Sequence, residues 1–419
     1  MAQVLAAGAV TGPDDVVRAR ARWRIADQVL SSLTVAGLSF MVAHGAGTGG
    51  FGLFGLALLA AAFTLGVTRA MVGDVFLIQF SDVVPRVRHR AAREASGAAV
   101  ALGLAAGAVC CLIAPVLPGH PARMTVFAIG LALPALVVQD CLRFVFIAAG
   151  RPLPAVVLGL AAGIAQITVV ALLVATDHDS TVRITVGWGL AALLTAVTGC
   201  LTAGVRPSLR QVPLWFALNR HLTVRLSVDY LLGLGAIYLA YALIGAIDGL
   251  EAIGSLWAAQ MFLVPAYVMI TATCSLVRPG FAARVLRGQS PLRPALVTGL
   301  ALAAVTALWG AALYALPDRL GIHLTGESWQ GAQEVLEPAV IGVVTVALAA
   351  GPTLGLRALG RGDLLRRVAL GQTALLLGLG ALGADLHGVR GAAVGLAAAH
   401  AAGSLWLWLL FVRDVLRRA

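Results

Sequence analysis

Lysine is absent from this 419-residue chain; all 30 of its permanently basic side chains are arginines. Charge of either sign is scarce, at 12% of residues against 60% hydrophobic ones. A soluble globular domain carries about 25% charged residues. That shortage leaves too little polar surface to cover a body of this size in water. Aromatic residues are also few, at 6%. The five cysteines (Cys110, Cys111, Cys141, Cys200 and Cys274) all fall in apolar runs, and no C-x-x-C spacing occurs. This excludes a disulfide framework or a zinc site built on that spacing. The cysteines read as small apolar packing residues. A secretory signal puts its charge first and its apolar run second. Here MAQVLAAGAV precedes Arg18, Arg20, Arg22 and Arg24, so residues 1–22 read as a short cytoplasmic tail.

What fills the chain is hydrophobic runs of the length that crosses a hydrocarbon core of roughly 30 Å. Twelve spans are expected, near 24–44, 51–79, 94–117, 124–149, 154–175, 184–205, 224–247, 251–277, 294–316, 335–356, 363–384 and 389–412. The expected fold class is therefore all-α and integral to the membrane. The net charge of +11 invites a nucleic-acid reading. The arginines flank the spans and form no basic domain, so no nucleic-acid partner is expected.

Arginine placement orients the chain. With the N-terminus inside, the inner segments hold 24 arginines and the outer ones four: Arg123, Arg183, Arg319 and Arg390. The bias alternates correctly across every loop, as the positive-inside rule requires. Both termini are expected in the cytoplasm and the protein in the inner (plasma) membrane. The outer loop 317–334 has the length for a small surface helix, and no loop is long enough for a soluble domain.

The stretch GTGGFG, Gly47 to Gly52, fits G-x-G-x-x-G, and Asp74 follows at the distance of a ribose carboxylate. A dinucleotide fingerprint follows a strand; this one follows an apolar span. Its glycines recur instead. At an offset of 202 residues Asp27 meets Asp229, Gly47 meets Gly249, and Gly52 meets Gly254. Spans 1 and 2 thus match spans 7 and 8. Six spans per half gives two parallel repeats. The division expected is a tail at 1–22, an N-lobe at 23–205, a cytoplasmic linker at 206–223, a C-lobe at 224–412 and a tail at 413–419, with a central cavity between the lobes. GTGGFG becomes the tight outer turn between spans 1 and 2, with Gly52 allowing close helix packing. No cofactor and no metal are expected.

Few ionisable groups enter the spans: Asp27, Arg69, Asp74, Asp140, Arg143 and Asp229. Each costs roughly 2.5–3.5 kcal/mol at the bilayer centre on insertion scales, which makes it a functional candidate by default. Arg69 lies about 27 Å along span 2 at 1.5 Å per residue, so all six gather toward the cytoplasmic side. Asp140 and Arg143 are three apart and can pair on one helix face. Simpler roles compete: an interfacial arginine can snorkel to water, and an aspartate near a helix start suits the dipole. As a functional site, Arg69 and Arg143 would bind phosphate, since guanidinium grips its oxygens bidentately. A diphosphate-bearing headgroup suits them. Pro134 in span 4 and Pro265 in span 8 are candidate bending points.

The segment from Asp27 to Asp74 resembles a known family. It contains Gln28-Val29-Leu30-Ser31-Ser32-Leu33-Thr34, then Phe51-Gly52-Leu53-Phe54, then Arg69-Ala70-Met71-Val72 and Asp74. The turn before span 8, Ile253-Gly254-Ser255-Leu256 through Gln260, looks like its repeat equivalent. These features resemble the polysaccharide exporters of the multidrug/oligosaccharidyl-lipid/polysaccharide (MOP) flippase superfamily. The chain departs from the family at Val35, where asparagine is usual, and at Thr48, where proline is usual. The resemblance implies alternating-access flipping of an undecaprenyl-diphosphate-linked oligosaccharide from the inner to the outer leaflet, for cell-surface polysaccharide synthesis. It implies a lipid-linked glycan as substrate, membrane lipid around it, and glycosyltransferases or a polymerase as pathway partners. Asp27, Asp74, Asp140 and Asp229 would tune the arginines or carry coupling protons, and Gln28 and Gln260 would meet sugar hydroxyls. Three other readings stay open. One is a multidrug antiporter of the same superfamily. Another is a polytopic glycan-assembly enzyme using Asp318, His323, Glu327, Glu334 and Glu337. The third is a scaffold.

Overall fold

The computed structural model describes residues 37–43, 47–176, 180–326 and 328–418. The described residues are helical almost throughout. The first half runs α1 (Gly47–Thr68), a π-helical turn (Arg69–Gly73), α2 (Asp74–Phe80), α3 (Pro85–Ile113), α4 (His120–Ala148), α5 (Pro152–Ala175) and α6 (Thr181–Ala203). The second half runs α7 (Val212–Tyr230), a π-helical segment (Leu231–Gly235), α8 (Ala236–Asp248), α9 (Leu250–Leu286), α10 (Leu292–Tyr314), α11 (Asp318–Thr325), α12 (Ser328–Ala358) and α13 (Gly362–Leu416). Proline opens or nearly opens α3, α4 and α7. Its missing N–H costs nothing in a first turn, and its fixed φ is already helical.

Among the described residues, ten helices are long and apolar enough to cross a membrane. They account for the expected spans from the second to the last. The 55-residue α13 carries the last two, bent at His387 and Gly388. Gly388 sits at φ 60°, a left-handed conformation that glycine reaches without a Cβ penalty. Of the first span only residues 37–43 are described, and they are helical. The short helix α11 falls in the loop where a surface helix was expected.

The two halves are built alike. In the first, α4 packs on α1, α3 and α6; in the second, α12 packs on α9, α10 and α13. These are the same positions in each six-helix unit, the fourth span against the second, third and sixth. In lipid, apolar faces gain little from meeting one another, so close backbone approach through small residues carries such packing.

The halves meet chiefly where α1 lies against α9. A Cβ at Gly52 would strike the Leu250 carbonyl, and one at Gly254 would sit 3.2 Å from the Gly52 Cα. The two repeat-related glycines therefore touch across the join. Around them one continuous core runs from Leu38, Phe51 and Phe54 of the first half to Phe262 and Trp329 of the second. Phe40 and Phe262 meet edge-on at 5.5 Å, and Phe262 and Trp329 at 5.3 Å. This end of the seam is packed shut.

Two boundaries differ from the hydropathy reading. Helix α3 begins at Pro85 and α7 at Val212, well before the apolar runs at 94 and 224. The α7 start lies inside the stretch read as a linker. Its early turns are polar but folded, because Trp215, Asn219 and Thr223 are buried against the first half.

Candidate functional site

The site begins with a defect in a helix. After Thr68 the regular α ladder of α1 gives way to a π turn, so the Asp74 N–H reaches the Arg69 carbonyl. Such a turn widens the helix and leaves carbonyls partly unpaired, and it is common at functional positions. Gly73 closes the turn. A Cβ there would lie 3.0 Å from the Phe144 ring of α4. The bare glycine brings the widened turn against α4, beside Asp140 and Arg143.

Across that contact Arg69 Nε donates to Asp140 Oδ2 and Nη2 to Oδ1, both at 2.7 Å. Arg143 Nη1 donates to the same Oδ1 at 3.4 Å. The arrangement is a carboxylate between two guanidinium groups. Asp140 and Arg143 are buried, with side-chain exposures of 8% and 10%, while Arg69 is 34% exposed. Charge-assisted, bidentate pairs of this kind are among the stronger polar contacts in proteins. The fork that grips Asp140 has the shape that grips phosphate.

The second half clasps the same turn. Trp215 Nε1 and Thr223 Oγ1 of α7 both donate to the Met71 carbonyl, at 3.4 Å each. Tyr230 Oη donates toward the Ala62 and Phe63 carbonyls at 3.3 Å, with its ring against Gly66. Arg69 therefore sits where α7 crosses α1, at the seam between halves. Removing both Met71 donors, with Trp215→Phe and Thr223→Val, is expected to cost about 1–3 kcal/mol at 0.5–1.5 kcal/mol per bond. Thermal unfolding of the purified protein in detergent reads this as a lowered midpoint.

Tyrosines continue the polar lining. Arg69 is in electrostatic reach of Tyr230 and Tyr238. Tyr238 in turn neighbours Tyr241 and Tyr267. Gln260 Nε2 donates to Tyr241 Oη at 2.8 Å, and its amide lies near Tyr267. Four of the chain's five tyrosines thus gather along the seam. Composition hides this concentration. Its only trace in the sequence is spacing: Tyr230, Tyr238 and Tyr241 on one helical stretch, and Gln260 and Tyr267 two turns apart on the next.

Of the residues singled out in the sequence, Arg69, Asp140 and Arg143 come together. Asp74 follows on α2, half-buried, one residue beyond the π turn. Asp229 is exposed on α7 and couples to Arg357, which also feels Arg278. Gln260 joins the tyrosines. Pro134 lies inside α4 and Pro265 inside α9. Asp27 and Gln28 lie outside the described residues, as does Glu327. Asp318 accepts from Trp329 Nε1 and Gln333 Nε2, both at 3.1 Å, so its carboxylate ties α11 to α12.

No family model matches the chain, and no curated protein matches it. Solved structures do. The chain is similar to the lipid II flippase MurJ in an inward closed conformation, with a TM-score of 0.68 at 10% identity, over 94% of this chain and 88% of that one. It is also similar to a multidrug resistance MATE family transporter of the MOP superfamily in an inward-facing conformation, with a TM-score of 0.65 at 12% identity, over 93% and 95%. The fold is that of MOP-superfamily transporters. An outward-facing structure of such a MATE transporter gives 0.57 at 14% identity, over 97% and 96%.

Proposed function

We propose that this protein flips a lipid-linked oligosaccharide, of the undecaprenyl-diphosphate type, from the inner to the outer leaflet by alternating access. The transport serves cell-surface polysaccharide synthesis in the plasma membrane, with both termini cytoplasmic. Glycosyltransferases or a polymerase would be its pathway partners. The observation that carries it is the pair Arg69 and Arg143 on one buried carboxylate, at the seam between the halves. Asp140 occupies the arginine fork. An arriving phosphate offers the same bidentate geometry with more charge, and exchanges for it. The desolvated charge of the headgroup is then matched by fixed guanidinium groups as it crosses a low-dielectric region. Asp27, Asp74 and Asp229 tune this exchange or carry protons, Gln28 and Gln260 meet sugar hydroxyls, and Pro134 and Pro265 flex as the lobes rock.

A second reading has an observation of its own. The tyrosines along the seam suit an aromatic-lined cavity of a multidrug antiporter, the activity named for the MATE structures. One experiment separates the two. Delete the gene, label lipid-linked glycan on each leaflet, and measure susceptibility to cationic drugs. A flippase leaves glycan on the inner leaflet and drug susceptibility unchanged. Raised susceptibility with normal glycan distribution replaces it with the antiporter.

A further inference from the structure

An apolar groove of about 660 Å³ opens between α3, α4 and α6, away from the arginine pair. Its floor is Val138 and Ala196, both buried, and its lip is Leu193, Val197 and Leu201. The lip residues stand four apart on α6 and are 48–75% exposed, so the groove faces outward into lipid. Pro134 lines it at the point where α4 loses a backbone hydrogen bond. A Cβ at Gly103 of α3 would lie 2.6 Å from the Pro134 Cα, so α3 closes over the proline. At the arginine-rich end, α6 stops in the left-handed Gly204 and the chain turns back through Val205, Arg206 and Pro207. Arg206 is exposed at the groove's mouth. No carboxylate pairs with it among the described residues.

A second, shallower groove of about 460 Å³ runs along the end of the last helix alone. Trp408, Leu409 and Leu416 line it on the last helix, with Arg413 and Arg417 at its mouth. The last span of each half thus ends in apolar surface topped by arginine, a slot between helices in the first half and a strip on one helix in the second. An occupant must be apolar along its length and anionic at its head, and must enter from the bilayer.

We propose that these grooves are binding sites for an anionic phospholipid of the arginine-rich leaflet, its acyl chain in the slot and its phosphate on Arg206 or on Arg413 and Arg417. Basic pockets between membrane helices suit anionic headgroups for this reason. The site is separate from the Arg69 pair, and it stands whichever substrate is transported. The first groove also touches α4 at its proline, so bound lipid braces the helix that carries Asp140.

The test uses the full chain purified in detergent and native mass spectrometry. Phosphatidylglycerol and phosphatidylcholine of identical chains are added separately. Phosphatidylglycerol is expected to be retained preferentially. Arg206→Gln weakens its retention at one site about fivefold, the weight of one interfacial arginine. Arg413→Gln with Arg417→Gln removes the other site. Val197→Trp fills the first slot and displaces the lipid with Arg206 intact, while Arg210→Gln, outside the groove, changes nothing. Equal retention of the two lipids overturns the proposal, as does an Arg206→Gln protein that binds like wild type. Displacement of phosphatidylglycerol by trace polyprenyl phosphate also overturns it and assigns the groove to a polyprenyl tail.

Discussion

Arg69→Ala is expected to abolish complementation of a deletion strain, and Arg69→Lys to restore only a small part of it. Lysine keeps the charge but is a point donor, whereas Arg69 uses Nε and Nη2 together on one carboxylate. A role in snorkelling alone predicts the opposite for lysine, which reaches water as well as arginine does. The readout is accumulation of lipid-linked glycan on the inner leaflet, beside the amount of folded protein recovered by size-exclusion chromatography. Normal export by the lysine variant would sink the bidentate role.

Asp140→Ala separates stability from transport. The carboxylate serves both Arg69 and Arg143, and Arg143 is buried. Breaking a buried ion pair by removing one partner typically costs about 3–5 kcal/mol. Asp140→Ala is therefore expected to lower the unfolding midpoint more than Arg69→Ala, because Arg69 is one third exposed where Asp140 is buried. Asp140→Asn keeps the shape and loses the charge. It is expected to fold better than the alanine variant and to release the guanidinium groups to an anion. If all three variants melt like the wild type, the pair has no structural weight.

Much of this was legible in the sequence, for physical reasons that can be named. Spans are visible because lipid tolerates almost no polar backbone or charge. The pairing of Asp140 with Arg143 is visible because it is local, three residues along one helix. The partnership of Arg69 with Asp140 spans 71 positions and depends on how closely two helices approach. Gly73 decides that, and nothing near Gly73 in the sequence marks it among 48 glycines. The π turn is equally silent, because tertiary packing from α7 satisfies it. The start of α7 was hidden by the polarity of Arg220 and Arg225 and the buried Asn219. Hydropathy reads such residues as loop, and the fold buries one face of them. The tyrosine lining escaped because a mean composition averages over the places where residues gather.

The other large effect is expected at Gly52. A methyl group there meets the Leu250 carbonyl, which is backbone and cannot rotate aside. Overpacking of this kind costs about 1–3 kcal/mol where neighbours can shift, and more where they cannot. Gly52→Leu is expected to force α1 and α9 apart at the end where Phe40, Phe262 and Trp329 close the seam. The helix itself gains from losing a glycine, by up to about 1 kcal/mol. The loss therefore falls on the closed arrangement and not on the fold of either half. Gly49→Leu is the matched control, since a Cβ there meets nothing within 4 Å. Spin labels on α1 and α9 near this end, measured by electron–electron distance spectroscopy, are expected to show a lengthened distance in Gly52→Leu and an unchanged one in Gly49→Leu. A protein that must close this end to transport would then lose function with its folded yield intact. Unchanged distances in both variants would mean that the glycine contact does not hold the seam shut.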